Sequence, residues 1–460
     1  MAASAECGVV DTEVGTRKDP IQLCMFTPKS TPVESFSKTA EYAKDQIGYL
    51  KSSLGQSTFE RRQHLFCIPD EIERDFYGTG PTKQYFEGHI AKCLGKDHGL
   101  FFITGVQAQL AALKIYCQAA NTPKVAWHLS SHLESAEEVA FQELYHLERI
   151  EIGNDPNILP SVDDIEKAIT LPADQRPAAI VIEIPNRVLG CETYTFEELQ
   201  RLSKTCARYG VKFHCDGARL WEIEPYYQET AGKSFADICG LFDSVYVSFY
   251  KGLGGVTGAM LVSNDAQFIS DAKVWQRRAG GNAFQFTYEV VDCIRGYNES
   301  IGTFAGKRDK MVEVATSIVK ATDKFKADDG QSVISFRPFP PTCCQVHTNF
   351  AGYTTRELEA ARDKVMEMTG IRVFERLRRK QTLDDKLKED RLAAKSKPYS
   401  ADIEGKDQQA GLLNGTVTSV EDQDRLHSME WMIMSVTEKL DTKLFVDGYA
   451  MLCEELEKSR

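Results

Sequence analysis

Three short runs of this chain hold residue types that together can do covalent chemistry. VKFHCDGARLWE sets Asp216 and Arg219 around a turn of small residues at the end of an apolar stretch. SVYVSFYKGLGG sets Lys251 after a second apolar stretch and ahead of a glycine-rich turn. LFFITGVQAQLAALKIY passes from a strand-like to a helix-like pattern at Thr104 and Gly105, which leaves free amides at a helix N-terminus, a ready seat for an anion. Singly, each has an ordinary explanation: helix N-termini follow strands throughout α/β proteins, and a strand-end Asp is as often a helix cap as a catalyst. The lysine is the least ordinary, because a buried ammonium needs compensation or a depressed pKa.

As a set they are an anion cradle, an amine able to form an imine, a carboxylate and a guanidinium. Pyridoxal 5′-phosphate (PLP) requires such a set. The lysine holds the aldehyde as an imine and carries a proton once substrate displaces it. The carboxylate faces the pyridine nitrogen and keeps it protonated, so that the ring takes up electrons. The arginine clamps the carboxylate of an amino acid through two parallel hydrogen bonds, which fixes the bond to be broken.

Ligands of open α/β sheets bind outside the carboxyl ends of the strands, and these residues stand at such ends. Between about residues 85 and 265, short apolar runs at 100–103, 125–129, 179–184, 211–215, 245–249 and 259–262 alternate with helical patterns, which predicts an α/β domain with a largely parallel sheet. Ahead of it, Phe36, Ala40, Ala43, Ile47, Leu50 and Leu54 recur in steps of four and three, predicting one amphipathic helix that stops at Gly55. Residues 375–427 are highly polar and read as a charged helix followed by a surface insertion. After them WMIMSV reads as a strand and KLFVDGYAMLCEELEK as a helix, an α+β closing unit. The expected organisation is an N-terminal arm and helix over 1–55, a large domain over 56–325 and a small C-terminal domain over 326–460, with the insertion at about 376–427.

HCDGARLWE and SVYVSFYKGLGGVTGAMLV resemble the threonine aldolase and β-eliminating lyase group of PLP enzymes, over about residues 75–286. The resemblance implies PLP fold type I, aspartate-aminotransferase-like, with active sites shared between subunits and hence a homodimer or homotetramer. It implies that Asp216 faces the ring nitrogen, Arg219 holds the substrate carboxylate and Lys251 carries the cofactor. FYGTGPTKQYFE is similar to a family motif that puts Tyr77 and Thr82 near the site. TGVQAQLA is similar to the phosphate turn and gives Thr104, Gly105 and Val106 that role, together with Ser248. His132, in SSHLESAEEVAF, lies where the family stacks a histidine on the ring, with Glu137 matching a nearby acid. The implied activity is reversible cleavage of the Cα–Cβ bond of a β-hydroxy-α-amino acid to glycine and an aldehyde, with His132 or a bound water taking the hydroxyl proton.

The departures fall on substrate recognition. Val106 replaces a hydroxyl residue of the phosphate turn. In EIPNRVLGC, Asn186 stands where histidine is usual and Arg187 is new; both are candidate substrate contacts. Phe284 stands where aldolases carry an arginine, MEWMIMSVTEKLD lacks the arginine that assists carboxylate binding, and the N-terminal S-D-T motif is not evident. Arg187, Arg277 or Arg278 are the candidates to substitute. Racemisation or β-elimination, with Lys251 abstracting the α-proton, is the alternative, and a non-catalytic scaffold the remaining one.

Other motifs have simpler readings. His214, next to Asp216, is expected as a packed core residue or a second partner of the site, and His128 competes with His132 for the stacking position. Cys343 and Cys344 are two packed thiols, and no metal-binding spacing occurs. AGKS at 231–234 lacks the first glycine of a phosphate loop, since Tyr227 holds that position, and KGLGGVTG has Thr257 where a dinucleotide turn needs its third glycine.

The 460 residues carry a net charge of −12, which argues against a nucleic-acid or anionic-membrane partner and leaves a small amino acid as the expected one. The 42% hydrophobic and 27% charged residues are those of a globular protein, with no apolar run of membrane-spanning length. Thirteen scattered cysteines, in a chain too large to need disulfide staples, fit reduced thiols and a cytoplasmic location. The N-terminal sequence lacks signal- and transit-peptide character, so Asn298 and Asn414, each in an Asn-x-Ser/Thr match, are taken as chance.

Overall fold

A computed structural model describes residues 20–25, 30–379 and 426–459. Among them, seven strands form the central sheet: β1 (His98–Phe102), β2 (Lys124–His128), β3 (Glu148–Ile152), β4 (Ala179–Glu183), β5 (Lys212–Gly217), β6 (Ser244–Ser248) and β7 (Ala259–Ser263). Their order is β1-β7-β6-β5-β4-β2-β3. Only β7 runs against its neighbours; the pairs from β6 across to β3 are parallel. The register sets Glu183 opposite Asp216 and Asp216 opposite Tyr246. Three carboxyl ends thus open side by side.

The middle strands are buried on both faces, which is why they appear in the sequence as near-continuous apolar runs. Strand β3, ERIEI, was not anticipated from the sequence. It is the sheet edge and alternates charged with apolar residues, so it carries little of the signal of a buried strand.

Between Pro32 and Gly55 there are two helices, α1 (Pro32–Lys44) and α2 (Gln46–Leu54), where one was expected. Asp45 interrupts them: its carboxylate accepts from the Gly48 amide at 2.8 Å and caps α2, a local bond that competes with continuing the first helix. The stop at Gly55 stands as predicted. Of the expected stripe, Leu50 is fully buried, but Phe36 is 76% and Ile47 46% exposed, and Tyr42, outside the stripe, is buried with Leu50.

Helix α3 (Gly105–Ala120) follows β1. Helix α4 (Phe196–Tyr209) begins in a capping box of Thr195 and Glu198, buries Phe196, Leu199, Leu202 and Cys206, and ends at left-handed Gly210. Helix α5 (Leu220–Ala231) carries the DGAR turn at its start and ends at left-handed Gly232, while Ser234 caps the next short helix. Chain reversal between helices therefore accounts for AGKS. Helix α6 (Thr287–Ser300) buries Asn298, whose amide bonds to the Tyr42 hydroxyl and to the Cys67 backbone, leaving no room for a glycan.

A four-stranded antiparallel sheet completes the fold: β8 (Ile334–Arg337), β9 (Gln345–Ala351), β10 (Arg378–Arg379) and β11 (Leu426–Met432), in the order β10-β11-β9-β8. Its core of Phe350, Trp431, Phe445, Tyr449 and Leu452, the last three on or against helix α7 (Thr442–Lys458), also takes in Leu23 and Cys24. Ile21–Gln22 pairs in parallel with Ile371–Arg372. The strand expected at WMIMSV begins five residues earlier, because the whole of β11 pairs along β9. Arg378–Arg379 are a strand where a charged helix was expected; residues 380–425, the rest of that segment, lie outside the described residues. Among the described residues no helix is long and apolar enough to cross a membrane, and no cysteine is in a disulfide.

Candidate functional site

Asp216, at the end of β5, is 1% exposed, and its Oδ1 accepts from the Ala218 amide at 3.0 Å. That bond closes the small-residue turn and brings Arg219 to the N-cap of α5. Lys251 leaves β6 two residues beyond Phe249, and the glycine turn after it is pinned by Glu222, whose buried carboxylate accepts from the Gly252 amide at 2.9 Å. Among the described residues the Lys251 amine has no hydrogen-bond partner. Burial and the neighbouring Arg219 charge push it down to about 8, against the opposing pull of Asp216 and Glu183. A substantial share of the amine is therefore neutral near physiological pH, the form that attacks an aldehyde.

His132 Nδ1 lies 2.8 Å from Glu137 Oε1, so a fully buried carboxylate orients the ring and leaves Nε2 for the site. The stacking competitor, His128, is engaged with Ser130 Oγ at 2.6 Å and the Asp155 carbonyl at 3.0 Å. His214 is wholly buried with Nδ1 2.7 Å from Ser244 Oγ; burial pushes its pKa down to about 4, which suits a packed core histidine. Cys343 and Cys344 are likewise buried thiols.

At the anion turn, Thr104 caps α3 by accepting from the Gln107 amide, and Gly105 packs directly on Tyr246. A Cβ at Gly105 would fall 1.9 Å from the Tyr246 hydroxyl, so only glycine lets the helix start approach β6 this closely. Gly105→Ala is accordingly expected to destabilise the fold by about 1–3 kcal/mol and to weaken PLP binding, read by thermal melting and PLP titration. Unchanged values in both would show that this close approach is dispensable. Val106 is half-buried beside the turn. Ser248 donates its hydroxyl proton to the Ala218 carbonyl at 2.7 Å, tying the end of β6 to the DGAR turn.

The structure departs most from sequence expectation at the substrate side. Arg187 is held by Glu430 through two parallel bonds of 2.7 Å each. The same Glu430 accepts from the Gln345 amide at 2.5 Å, and Gln345 accepts from Arg219 Nε at 2.7 Å. One carboxylate on β11 thereby positions two arginines, one from the loop after β4 directly and one from the turn after β5 through Gln345. Asn186 uses its amide internally, donating to Ser130 Oγ at 2.8 Å and accepting from the Leu189 amide at 3.1 Å, so it holds the loop that carries Arg187. Thr82 is buried and bonds the backbone of Glu71 and Glu73. Tyr77 is 60% exposed, packs on Phe284, and lines an open cleft of about 500 Å3 with Arg277, Gly280 and Asn282, apart from the Lys251 cluster. Glu183, Glu222, Gln345 and Glu430 escaped the sequence reading. Glu183, at a strand end like Asp216, could have been found there; the other three depend on contacts across the fold.

These residues fit PLP: an unpartnered amine, a nearly inaccessible carboxylate beside it, and a tight helix start on the same sheet edge. The fold is fold type I of the PLP-dependent enzymes. The sequence matches the beta-eliminating lyase family over residues 68–335, and the chain belongs to that family.

A candidate L-allo-threonine aldolase from Listeria monocytogenes EGD-E has a similar structure, with a TM-score of 0.70 and 28% identity over 95% of this chain and 97% of that one. Low-specificity L-threonine aldolase 1 of Arabidopsis thaliana is 26% identical over 219 residues, 47% of this chain and 60% of that protein. Alanine racemase TOXG of Cochliobolus carbonum is 27% identical over 216 residues, 46% of this chain and 53% of that one. The chain thus spans a little more than half the length of these two curated relatives.

Proposed function

We propose that the protein is a PLP-dependent lyase that cleaves a β-hydroxy-α-amino acid to glycine and an aldehyde. The observation that carries this is the convergence of the Lys251 amine, the Asp216 carboxylate and Arg219 at adjoining strand ends. Lys251 would hold the aldehyde of PLP, Thr104, Gly105, Val106 and Ser248 its phosphate and Asp216 its ring nitrogen, and the cofactor would supply an electron sink for the breaking bond. Arg219 holds the substrate carboxylate, with Arg187 kept alongside it by Glu430. His132, oriented by Glu137, would flank the cofactor ring and accept the β-hydroxyl proton at Nε2, and Lys251 Nζ would carry the proton returned to the α-carbon. Asn186 supports the substrate from behind Arg187, and Tyr77 closes the site from a neighbouring subunit.

That last role accompanies an expected homodimer or homotetramer. Phe76, Tyr77, Phe284 and Tyr288 are each more than half exposed, and the first three pack together, a surface that suits burial by a second copy. We place the boundary between the cofactor-carrying and smaller domains near residue 325, between the two sheets, and the protein in the cytoplasm, in keeping with its unpaired cysteines.

The second reading is racemisation by Lys251, favoured by the likeness to alanine racemase TOXG. One assay separates the two. PLP-loaded protein incubated with the threonine isomers is expected to release glycine and acetaldehyde in equal amounts, whereas inversion of L-alanine without glycine formation would reverse the order. If neither occurs while PLP is bound, lyase and racemase readings both fail for these substrates.

A further inference from the structure

Gln345 opens β9 and is wholly buried, and both ends of its side-chain amide are engaged. Its Oε1 accepts from Arg219 Nε at 2.7 Å, and its Nε2 donates to Glu430 Oε1 at 2.5 Å. A guanidinium only donates and a carboxylate only accepts, so the chemistry of the two partners dictates which way round the amide lies. The same Glu430 oxygen accepts from Arg187 Nε at 2.7 Å. The backbone is fixed as well: Gln345 stands opposite Met432 in the sheet, and its amide donates to Cys343 Sγ at 3.4 Å. The side chain is thus held at its base and at its tip on the four-stranded sheet, while the arginine it grips belongs to the DGAR turn of the central one.

The turn alone does not aim Arg219. It sets the backbone, with Arg219 as N-cap of α5, and leaves a long side chain with several rotatable bonds. A guanidinium is planar and rigid, so one firm bond at Nε fixes where its remaining donors point. We propose that Gln345 is the positioning residue for recognition of the substrate α-carboxylate: it sets the plane of Arg219, and as a neutral amide it transmits the hold of Glu430 without itself placing a negative charge against the guanidinium. A carboxylate at this position would also accept from Arg219 Nε, but it would compete with the substrate carboxylate and stand against Glu430 inside a buried cluster. An apolar side chain of similar length would take one bond from Arg219 and one from Glu430. An uncharged group that accepts on one side and donates on the other meets both demands.

The inference rests on Arg219 as the holder of the substrate carboxylate, and the test compares glycine with methylamine, which is glycine without that group. PLP-loaded parent, Gln345→Met and Gln345→Glu are titrated with each amine, followed by visible absorbance. The parent is expected to bind glycine more tightly than methylamine. In Gln345→Met the Kd for glycine should rise about 10–100-fold, the scale of one lost hydrogen bond to a charged group, with methylamine hardly changed. Gln345→Glu should lose as much of the preference or more, although it keeps an acceptor on Arg219 Nε. A methionine variant with the parent's preference, or one that loses both amines alike, overturns the positioning role. A glutamate variant with the parent's preference overturns the need for a neutral group. If either variant fails to take up PLP, the crystal structure of the PLP-loaded parent with glycine decides: Gln345 Oε1 is expected within about 2.6–3.2 Å of Arg219 Nε while the guanidinium contacts the glycine carboxylate. An Arg219 that has left Gln345 to reach glycine overturns the proposal. A parent that binds glycine no better than methylamine defeats the Arg219 reading itself, and the role of Gln345 with it.

Discussion

Lys251→Ala is expected to abolish the visible absorbance that the parent acquires with PLP and to lower lyase turnover by about 10²–10⁴-fold through loss of the proton carrier alone. Burial and the Arg219 charge lower the amine against the pull of Asp216, and its value near 8 leaves enough neutral form for capture. The turn beneath it depends on the Gly252 amide donating to the Glu222 carboxylate and the Gly254 amide donating to the Lys251 carbonyl, which alanine leaves intact. Circular dichroism and melting temperature should therefore hardly move. A visible band of parent intensity in the variant would remove Lys251 from its assigned role, whatever happened to activity.

Glu430→Ala is expected to destabilise the protein by about 3–5 kcal/mol, because it leaves the largely buried Arg187 guanidinium without its counter-charge. Gln345 loses an acceptor as well, and Arg219 with it loses its anchored neighbour, so the KM for amino acid should rise more than kcat falls. Burial alone would push the Glu430 carboxyl up, but the charge and bonds of Arg187 hold it down to about 2. With a folded value below the ordinary 4.5, this carboxylate stabilises the fold at all pH above that value. Its contribution is lost as pH falls from about 4.5 through about 2, so parent and variant melting temperatures should converge in acid and stay apart from neutral pH upward. Glu430→Gln, which keeps the shape, should lie between them. An alanine variant as stable as the parent at neutral pH would mean that Arg187 finds another anion.

The cofactor side of the site was legible because its residues lie in continuous runs. Strand, turn and helix start follow one another around Asp216, Lys251 and Thr104, and buried parallel strands write themselves as unbroken apolar stretches. The substrate side was not, since Arg187, Gln345 and Glu430 come from segments far apart in the chain, and a glutamate inside MEWMIM looks like an exposed strand residue until its partner is known. Its charge also ran opposite to expectation: where an arginine was sought on the closing strand, an acid holds an arginine from the facing loop. Helix α1 failed for a local reason, Asp45 capping a new helix inside an apparently continuous stripe. Strand β3 failed because edge strands share the charge alternation of loops.

The pairing of Ile21–Gln22 with Ile371–Arg372, and the burial of Leu23 among residues of α7, bear on the order in which the molecule is completed during synthesis. The ribosome delivers residues 21–25 long before their partners, so this segment waits unpaired while the chain grows. The seven-stranded sheet has all its strands once residue 263 has emerged, whereas the four-stranded sheet lacks β11 until residue 432. Domains that fold as they emerge would thus finish the side bearing Asp216 and Lys251 first. The side bearing Gln345 and Glu430 closes last, and Arg187 meets its counter-ion only near the end of translation.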